Sequence, residues 1–140
     1  MTTAIDTNVL IALWDADDTL NSRARVGLKA ALGNGDLVVS APVYAELLGA
    51  PMRTESFIDS FCAQTGIAVD SDLPEAVWRS AGRAFQHYAV RRKSHRNSAP
   101  RRILADFLIG AHALHHGYKL LTLDDRLYRT AFPRLQILTV

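Results

Sequence analysis

The amino-acid sequence predicts an α/β fold, a three-layer α/β/α sandwich with a central, mainly parallel sheet. Short β-branched apolar runs alternate with longer segments of helical periodicity, which is typical of a parallel sheet covered by helices. The chain has 140 residues, of which 49% are hydrophobic and 21% charged. This is the size and composition of one soluble globular domain. We therefore expect a single domain over residues 1–140.

In the N-terminal half, helical segments follow each predicted strand. The first strand, Thr3–Ile5, leads at once into a helix from Thr7 to Trp14, whose apolar residues cover most of its surface and so predict burial. Asn21 or Ser22 is in position to cap the next helix. The further elements are that helix to about residue 32, a strand at 37–39, a helix that begins at 40–42, a helix over 54–64 and a strand at 67–69.

The C-terminal half continues this alternation around one polar stretch. Asp72 to Glu75 forms a capping-box pattern that opens a helix reaching about Arg91. Residues 93–102 are polar, basic and rich in turn-forming residues, so we expect a loop there. The further elements are a helix over 103–116, a strand at 120–122, a short helix at 124–129 and a closing strand at 136–140.

The charges of the chain are unevenly distributed. Residues 76–105 contain eight basic side chains and no acidic one, so the other 110 residues carry eight basic and all fourteen acidic side chains. A stretch of one sign suits a polyanion, because each neutralised phosphate releases counterions. The competing interpretation is a solvated helix surface and loop.

The sequence predicts a cytoplasmic protein without a membrane partner. No apolar run reaches the roughly 20 residues needed to cross a bilayer. The N-terminus lacks the basic start and apolar stretch of a signal peptide. Cys62 is the only cysteine, and we expect it to be a small buried apolar residue.

Four acidic residues are expected to meet at one edge of the sheet. Asp6 follows the first predicted strand, and Asp124 follows a later one. Glu46 and Asp106 lie near the starts of two predicted helices. Ligands of open parallel sheets bind outside the carboxyl ends of the strands. Helix capping is the alternative for Asp6 and Asp124. For Glu46 the alternative is a solvated charge on a helix surface. For Asp106 the alternative is a buried ion pair with Arg102.

A cluster of four carboxylates favours a bound cation. Two such charges repel by about 4 kcal/mol at about 4 Å in an effective dielectric near 20, so the group either takes up protons or holds a metal ion. Ligation by oxygen alone favours Mg²⁺ or Mn²⁺ over Zn²⁺.

A histidine pair offers a weaker metal-binding pattern. His112 and His116 have the i, i+4 spacing of helical zinc ligands. The residues between them do not fit His-Glu-x-x-His, and a helix C-terminus favours histidine in any case. Phosphate-loop, dinucleotide-binding and nucleophile-elbow patterns are absent from the sequence. The carboxylates are therefore the favoured site.

Four segments carry the acidic residues in a fixed order: Ile5–Leu10, Tyr44–Leu48, Ile103–Ala113 and Leu121–Asp124. Together they resemble the PIN-domain nucleases, and most closely the VapC-type toxins of bacterial and archaeal toxin–antitoxin pairs. The resemblance spans essentially the whole chain.

The resemblance implies a Mg²⁺- or Mn²⁺-dependent endoribonuclease in one PIN-like domain. Its implied catalytic residues are Asp6, Glu46, Asp106 and Asp124. Asp6, Asp106 and Asp124 would hold the metal. Asn8 and Thr122 occupy the positions of supporting polar groups. The resemblance also implies a homodimer and a cognate small antitoxin that inhibits it, together in a hetero-oligomer.

Two features extend this hypothesis. Asp125 lies next to the fourth acid, and we prefer Asp124 as the residue that faces the metal because the Thr-x-Asp spacing matches. The basic stretch would hold the RNA backbone through Arg91, Arg92, Lys93, Arg96, Arg101 and Arg102.

Two other functions fit the same residues. A PIN-type RNA-processing nuclease without an antitoxin would use the same carboxylates. A non-catalytic module would bind RNA or a protein through residues 79–102, with the acids serving only as helix caps. Metal-dependent stabilisation would separate a nuclease from such a module, and a co-purifying antitoxin would separate a toxin from a processing enzyme.

Overall fold

The computed structural model describes residues 1–94 and 103–139, which contain one five-stranded parallel sheet. The strands are β1 (Thr2–Ile5), β2 (Asp36–Ser40), β3 (Ala68–Asp70), β4 (Lys119–Leu121) and β5 (Ile137–Leu138). They lie in the order β3-β2-β1-β4-β5. The predicted α/β fold with a parallel central sheet is confirmed.

Seven helices connect the strands within the described residues. They are α1 (Thr7–Leu13), α2 (Asn21–Asn34), α3 (Ala41–Leu47), α4 (Glu55–Thr65), α5 (Glu75–Ser94), α6 (Leu104–His116) and α7 (Arg126–Ala131). Each predicted strand and helix is present, with bounds shifted by a few residues. The first two residues of the predicted loop at 93–102 belong to α5, and its other residues lie outside the described ones. No helix among the described residues has the length and apolarity needed to cross a membrane.

The order of the strands reverses beside β1. From β1 the chain moves outward to β2 and β3, and α5 and α6 then carry it back across to β4 on the other side of β1. Because parallel crossovers are right-handed, this reversal sends α5 and α6 to the face opposite α2 and α4. The crevice at the carboxyl ends of β1 and β4 is the position at which such sheets bind ligands.

An aromatic cluster fixes α6 against α5. Phe107 is fully buried, and its ring centroid lies 5.3 Å from that of Phe85 and 5.5 Å from that of Tyr88. Burial of such a ring contributes about 2–3 kcal/mol. Because Phe107 directly follows Asp106, its packing sets the rotation of α6 about its axis and so the direction in which Asp106 leaves the helix.

The predicted capping role of Asn21 or Ser22 at the start of α2 is wrong. Leu20 occupies the N-cap position and makes no side-chain capping hydrogen bond. The Asn21 amide instead donates to the carbonyl oxygens of Ala12 and Leu13, at 2.9 and 3.1 Å. These carbonyls lie in the last turn of α1, where carbonyl oxygens lack the i+4 partner of a continuing helix; the Ala12 oxygen also accepts the Asp15 N–H at 3.3 Å. The Asn21 side chain therefore stabilises the preceding helix.

Gly110 allows α6 and α7 to approach closely. A Cβ atom at this position would lie 2.5 Å from Cε2 of Phe132 and 3.0 Å from Cδ1 of Tyr128. Both distances are too short for carbon atoms in contact. A side chain on Gly110 would thus push away the helix that carries Tyr128.

We predict that Gly110→Ala lowers the free energy of unfolding by about 1–3 kcal/mol through overpacking. Gly82→Ala is the matched control, because Gly82 lies within α5 and a Cβ there meets nothing within 4 Å. Its stability should stay the same or rise by up to about 1 kcal/mol. Urea denaturation measures both variants, and equal stabilities would contradict the close approach of α6 and α7.

Candidate active site

A cleft of ≈ 230 Å³ opens at the carboxyl ends of β1 and β4. The side chains of all four acids named from the sequence line it, together with polar and apolar neighbours. They come from four different parts of the fold: Asp6 from the end of β1, Glu46 from α3, Asp106 from the first turn of α6, and Asp124 from the segment after β4. The structure therefore brings together acids that are up to 118 positions apart in the sequence.

Asp6 is the buried centre of this cleft, with only 5% of its surface exposed. Its Oδ1 accepts the Thr7 backbone N–H at 2.8 Å, which caps α1. Its Oδ2 accepts hydroxyl hydrogen bonds from Thr122 at 2.8 Å and from Tyr128 at 2.9 Å. Asp6 thus caps α1 and lines the cleft at the same time.

Burial raises the pKa of Asp6 to about 6, even though the hydrogen bonds from Thr122, Tyr128 and Thr7 lower it. The negative charge of Asp106 raises this pKa further. Each carboxylate oxygen accepts about two hydrogen bonds. Within the described residues Oδ2 receives two and Oδ1 receives one, which leaves a lone pair on Oδ1.

Glu46 is held in the cleft by a hydroxyl group from α1. The Thr7 hydroxyl donates to Glu46 Oε1 at 2.6 Å, so the first residue of α1 contacts both acids through its backbone and its side chain. Glu46 is partly buried. This position differs from the solvated helix surface that was the alternative for this residue.

Thr122 and Asn8 tie the ends of β1 and β4 together. The fully buried Thr122 hydroxyl donates to Asp6 and accepts the backbone N–H of Asp124 at 3.1 Å and the Asn8 amide at 3.4 Å. The Asn8 carbonyl oxygen accepts the Leu123 N–H at 3.2 Å. These bonds orient the Asp6 carboxylate and the start of the segment that carries Asp124.

Asp124 and Asp125 have different surroundings. Asp124 lines the cleft, and its Oδ1 lies 3.6 Å from Nε of Arg126. Asp125 accepts a hydrogen bond from Nε of Arg129 one turn later, which lowers the pKa of Asp125. Asp124 therefore lines the cleft and Asp125 does not, while the preference for Asp124 as the residue that faces a metal stays a prediction.

Tyr128 is a cleft residue that the sequence analysis missed. It is 2% exposed and donates to Asp6, and burial together with the charges of Asp6 and Asp106 raises the pKa of its hydroxyl far above the usual range. Tyr128 therefore stays a neutral hydrogen-bond donor. The only sequence signal for it is a hydroxyl-bearing ring on the apolar side of a six-residue helix.

The basic stretch is only partly within the described residues. Arg91, Arg92 and Lys93 form the last turn of α5. Arg91 and Lys93 are exposed, Arg92 is half-buried, and none of the three lines the cleft. Outside the described residues lie Arg96, Arg101 and Arg102, and with them the proposed ion pair of Asp106 with Arg102.

One protein-family model and several solved structures match this chain. The family model of the PIN domain matches residues 3–133. VapBC2 from Rickettsia felis, bound to a DNA fragment from its promoter, is 17% identical, with 99% of this chain and 98% of that chain covered and a TM-score of 0.69. VapBC-1 from nontypeable Haemophilus influenzae is 23% identical, with 99% and 98% covered and a TM-score of 0.67.

A third solved structure with this fold is VapC20 from Mycobacterium tuberculosis, a sarcin-ricin loop cleaving toxin. It is 14% identical, with 96% of this chain and 98% of that chain covered and a TM-score of 0.63. Curated protein sequences give no match. Identities this low establish a common fold and no more.

We predict that Asp6→Asn makes the metal-free protein more stable at about pH 8. A raised pKa means that the folded state keeps a proton which the unfolded state releases, so wild-type stability falls as the pH rises from about 4 to about 6 and stays lower above. The difference between about 6 and the ordinary 3.8 corresponds to about 3 kcal/mol. Asparagine carries no charge to bury, and its amide can donate to the Thr122 and Tyr128 hydroxyl oxygens.

Urea denaturation in EDTA at several pH values measures this difference. The two proteins should have similar stability near pH 4 and diverge as the pH rises. Asp125→Asn is the control, since Asp125 has a lowered pKa and lies outside the cleft, and it should keep the wild-type decrease between pH 4 and 6. If the wild type is more stable than Asp6→Asn at pH 8 in EDTA, the buried Asp6 charge does not destabilise the fold and its pKa is not raised.

Proposed function

The chain belongs to the PIN-domain family, and on this premise we propose that it is a metal-dependent endoribonuclease acting as the toxin of a toxin–antitoxin pair. The observation that carries the proposal is the convergence of Asp6, Glu46, Asp106 and Asp124 on one cleft at the reversal of strand order. Four carboxylates in such a place bind protons or a cation.

The donor set of the cleft fits a hard divalent cation. Its acidic ligands offer only oxygen atoms, which favours Mg²⁺ or Mn²⁺. The raised pKa of Asp6 reflects a buried charge for which the described residues supply no compensating positive one, and a divalent ion would supply it. Asp6, through the lone pair on Oδ1, would hold the ion together with Asp106 and Asp124.

When bound, the ion lowers the pKa of a water molecule, polarises the scissile phosphate and stabilises the departing 3′-oxygen. Glu46, fixed by the Thr7 hydroxyl, serves as a further ligand or orients the attacking water. Thr122 and Tyr128 keep the Asp6 carboxylate in one orientation. The expected products carry 5′-phosphate and 3′-hydroxyl ends.

The basic stretch supports RNA as the substrate. It leads along the chain directly into α6, whose first turn carries Asp106. Arginine and lysine neutralise phosphates, and Arg91 and Lys93 are exposed to do so. Single-stranded loops are the expected targets, because an RNA duplex hides its base edges in a deep, narrow groove.

A small antitoxin and a second copy of the chain are the proposed protein partners, in the cytoplasm. Solved structures of the same fold include a toxin–antitoxin complex from Klebsiella pneumoniae and VapBC2 on its promoter DNA. Large apolar side chains are exposed on α5 and at α6: Trp78, Val90 and Leu104 are 47%, 61% and 47% exposed. These side chains are available for a contact with a protein partner.

We predict that Asp124→Asn lowers RNA cleavage on the order of 100-fold or more, because removing a metal ligand costs at least as much as removing its supporting groups. Asp125→Asn is the matched control, since it removes an adjacent carboxylate that pairs with Arg129 and lies outside the cleft. Cleavage of a total small-RNA pool by antitoxin-free protein, with Mg²⁺ or Mn²⁺ against EDTA, measures both.

Wild type and Asp125→Asn should give the same discrete RNA fragments when Mg²⁺ or Mn²⁺ is present and none in EDTA. Equal activity of Asp124→Asn and wild type would contradict the assignment of the carboxylates. A folded wild type that neither cleaves RNA nor gains thermal stability with metal would instead support the non-catalytic binding module. Cleavage by a protein that has no antitoxin partner would support an RNA-processing nuclease.

We predict that the double variant Arg91→Gln/Lys93→Gln weakens the salt dependence of RNA binding. Each lost phosphate contact on single-stranded RNA reduces the slope of log K against log salt by about 0.7, so the two together reduce it by about 1.4. Arg25→Gln/Lys29→Gln on α2 is the control, since it also removes one arginine and one lysine charge, but from a helix outside the basic stretch. Binding is measured in the Asp106→Asn background to prevent cleavage, and an unchanged slope in the first double variant would contradict an RNA-binding role.

A further inference from the structure

A second group of metal-binding side chains lies apart from the acidic cleft. Asp70 is the last residue of β3, and His112 and His116 are one turn apart in the second half of α6. Each of the three offers a ligand atom within 4.8 Å of those of the other two. None of them lines the cleft.

The distances suit a small metal ion. His112 Nε2 lies 2.8 Å from Asp70 Oδ2, and His116 Nε2 lies 3.8 Å from the same oxygen. Nitrogen and oxygen ligands at about 2.0–2.2 Å from a tetrahedral zinc ion are about 3.4 Å apart. The two observed separations fall on either side of this value, and an ion would replace the hydrogen bond between His112 and Asp70 and move these two atoms apart by about 0.6 Å.

Two buried ring nitrogens of the histidines, His112 Nδ1 and His116 Nε2, have no hydrogen-bond partner within the described residues. His112 is fully buried, with its Nε2 directed at Asp70. Tyr118 stacks on the His116 ring at a centroid distance of 5.2 Å and an interplanar angle of 18°. A buried, unpaired polar atom is costly, and His116 Nε2 lies beside the Asp70 carboxylate and the His112 ring, whose centroid is 4.7 Å from that of His116.

We propose that Asp70, His112 and His116 bind one divalent transition-metal ion, which their chemistry identifies as Zn²⁺. Imidazole nitrogens favour Zn²⁺ over Mg²⁺, so this site and the acidic cleft select different ions. The i, i+4 spacing puts both imidazoles on the same face of α6. Three protein ligands leave a fourth position of the tetrahedron for water.

The bound ion ties α6 to the edge strand of the sheet. Asp70 and His112 are 42 positions apart, and α5 and the basic stretch lie between them in the chain. Closing so long a segment with a metal ion stabilises the folded state, because the site exists only there. The role is structural, and it does not depend on the nuclease proposal.

The test uses the untagged full chain, stripped with EDTA and dialysed, in excess Mg²⁺ to saturate the cleft. Zinc chloride is titrated by calorimetry and thermal melting, and Co²⁺ is added as a spectroscopic probe. We expect one Zn²⁺ per chain, a higher melting temperature, and visible Co²⁺ absorption typical of four ligands. His116→Asn and Asp70→Asn should each lower the Zn²⁺ affinity by about 10-fold or more.

Two control variants separate this site from its surroundings. His115→Asn removes the neighbouring histidine, and Asp106→Asn disables the cleft; both should keep wild-type Zn²⁺ affinity. Circular dichroism of the metal-free variants verifies folding, and the two ligand variants report independently on the site. The proposal is overturned if the wild type binds no Zn²⁺, if His116→Asn and Asp70→Asn bind it as tightly as wild type, or if Asp106→Asn abolishes binding.

Discussion

The buried carboxylate of Asp6 is the interaction on which the candidate active site depends. Its two oxygens receive hydrogen bonds from the start of α1, from the end of β4 and from α7, through Thr7, Thr122 and Tyr128. Three elements that are far apart in the chain are thereby held at one point, where the strand order reverses. These bonds do not fully offset the loss of water, so burial keeps the pKa of Asp6 at about 6. Within the described residues the Asp6 charge is oriented but not neutralised, and a bound cation would neutralise it.

α6 connects the two proposed metal sites. Its first turn carries Asp106, and its second half carries His112 and His116. Asp106 and His112 are six positions apart in the helix, a rise of about 9 Å along the axis. The packing of Phe107 and the absent side chain of Gly110 set the rotation and closeness of this helix. A metal ion at the histidines would hold the same helix at its other end, and would add a second support to the apolar packing that positions Asp106.

The strands and helices are predictable from the sequence because their signals are local: alternating apolar runs, glycines and early prolines. The meeting of the four acids is predictable too, since the carboxyl ends of parallel strands share one edge of the sheet. Contacts that exist only after packing leave no such signal. Tyr128 reaches Asp6 across 122 positions, and Asp70 joins the histidine pair across 42. The role of Asn21 is also not local. Its side chain can cap its own helix or donate to the last carbonyls of the preceding one, and only the tertiary structure decides between the two.

Anomalous diffraction from a crystal soaked in Mn²⁺ would show whether the acidic cleft binds a divalent metal ion. We expect an anomalous peak within coordination distance of Asp6 Oδ1 and of the Asp106 and Asp124 carboxylates. A cleft without such a peak at saturating Mn²⁺, with Asp6 held in the same three hydrogen bonds, would contradict a metal site there.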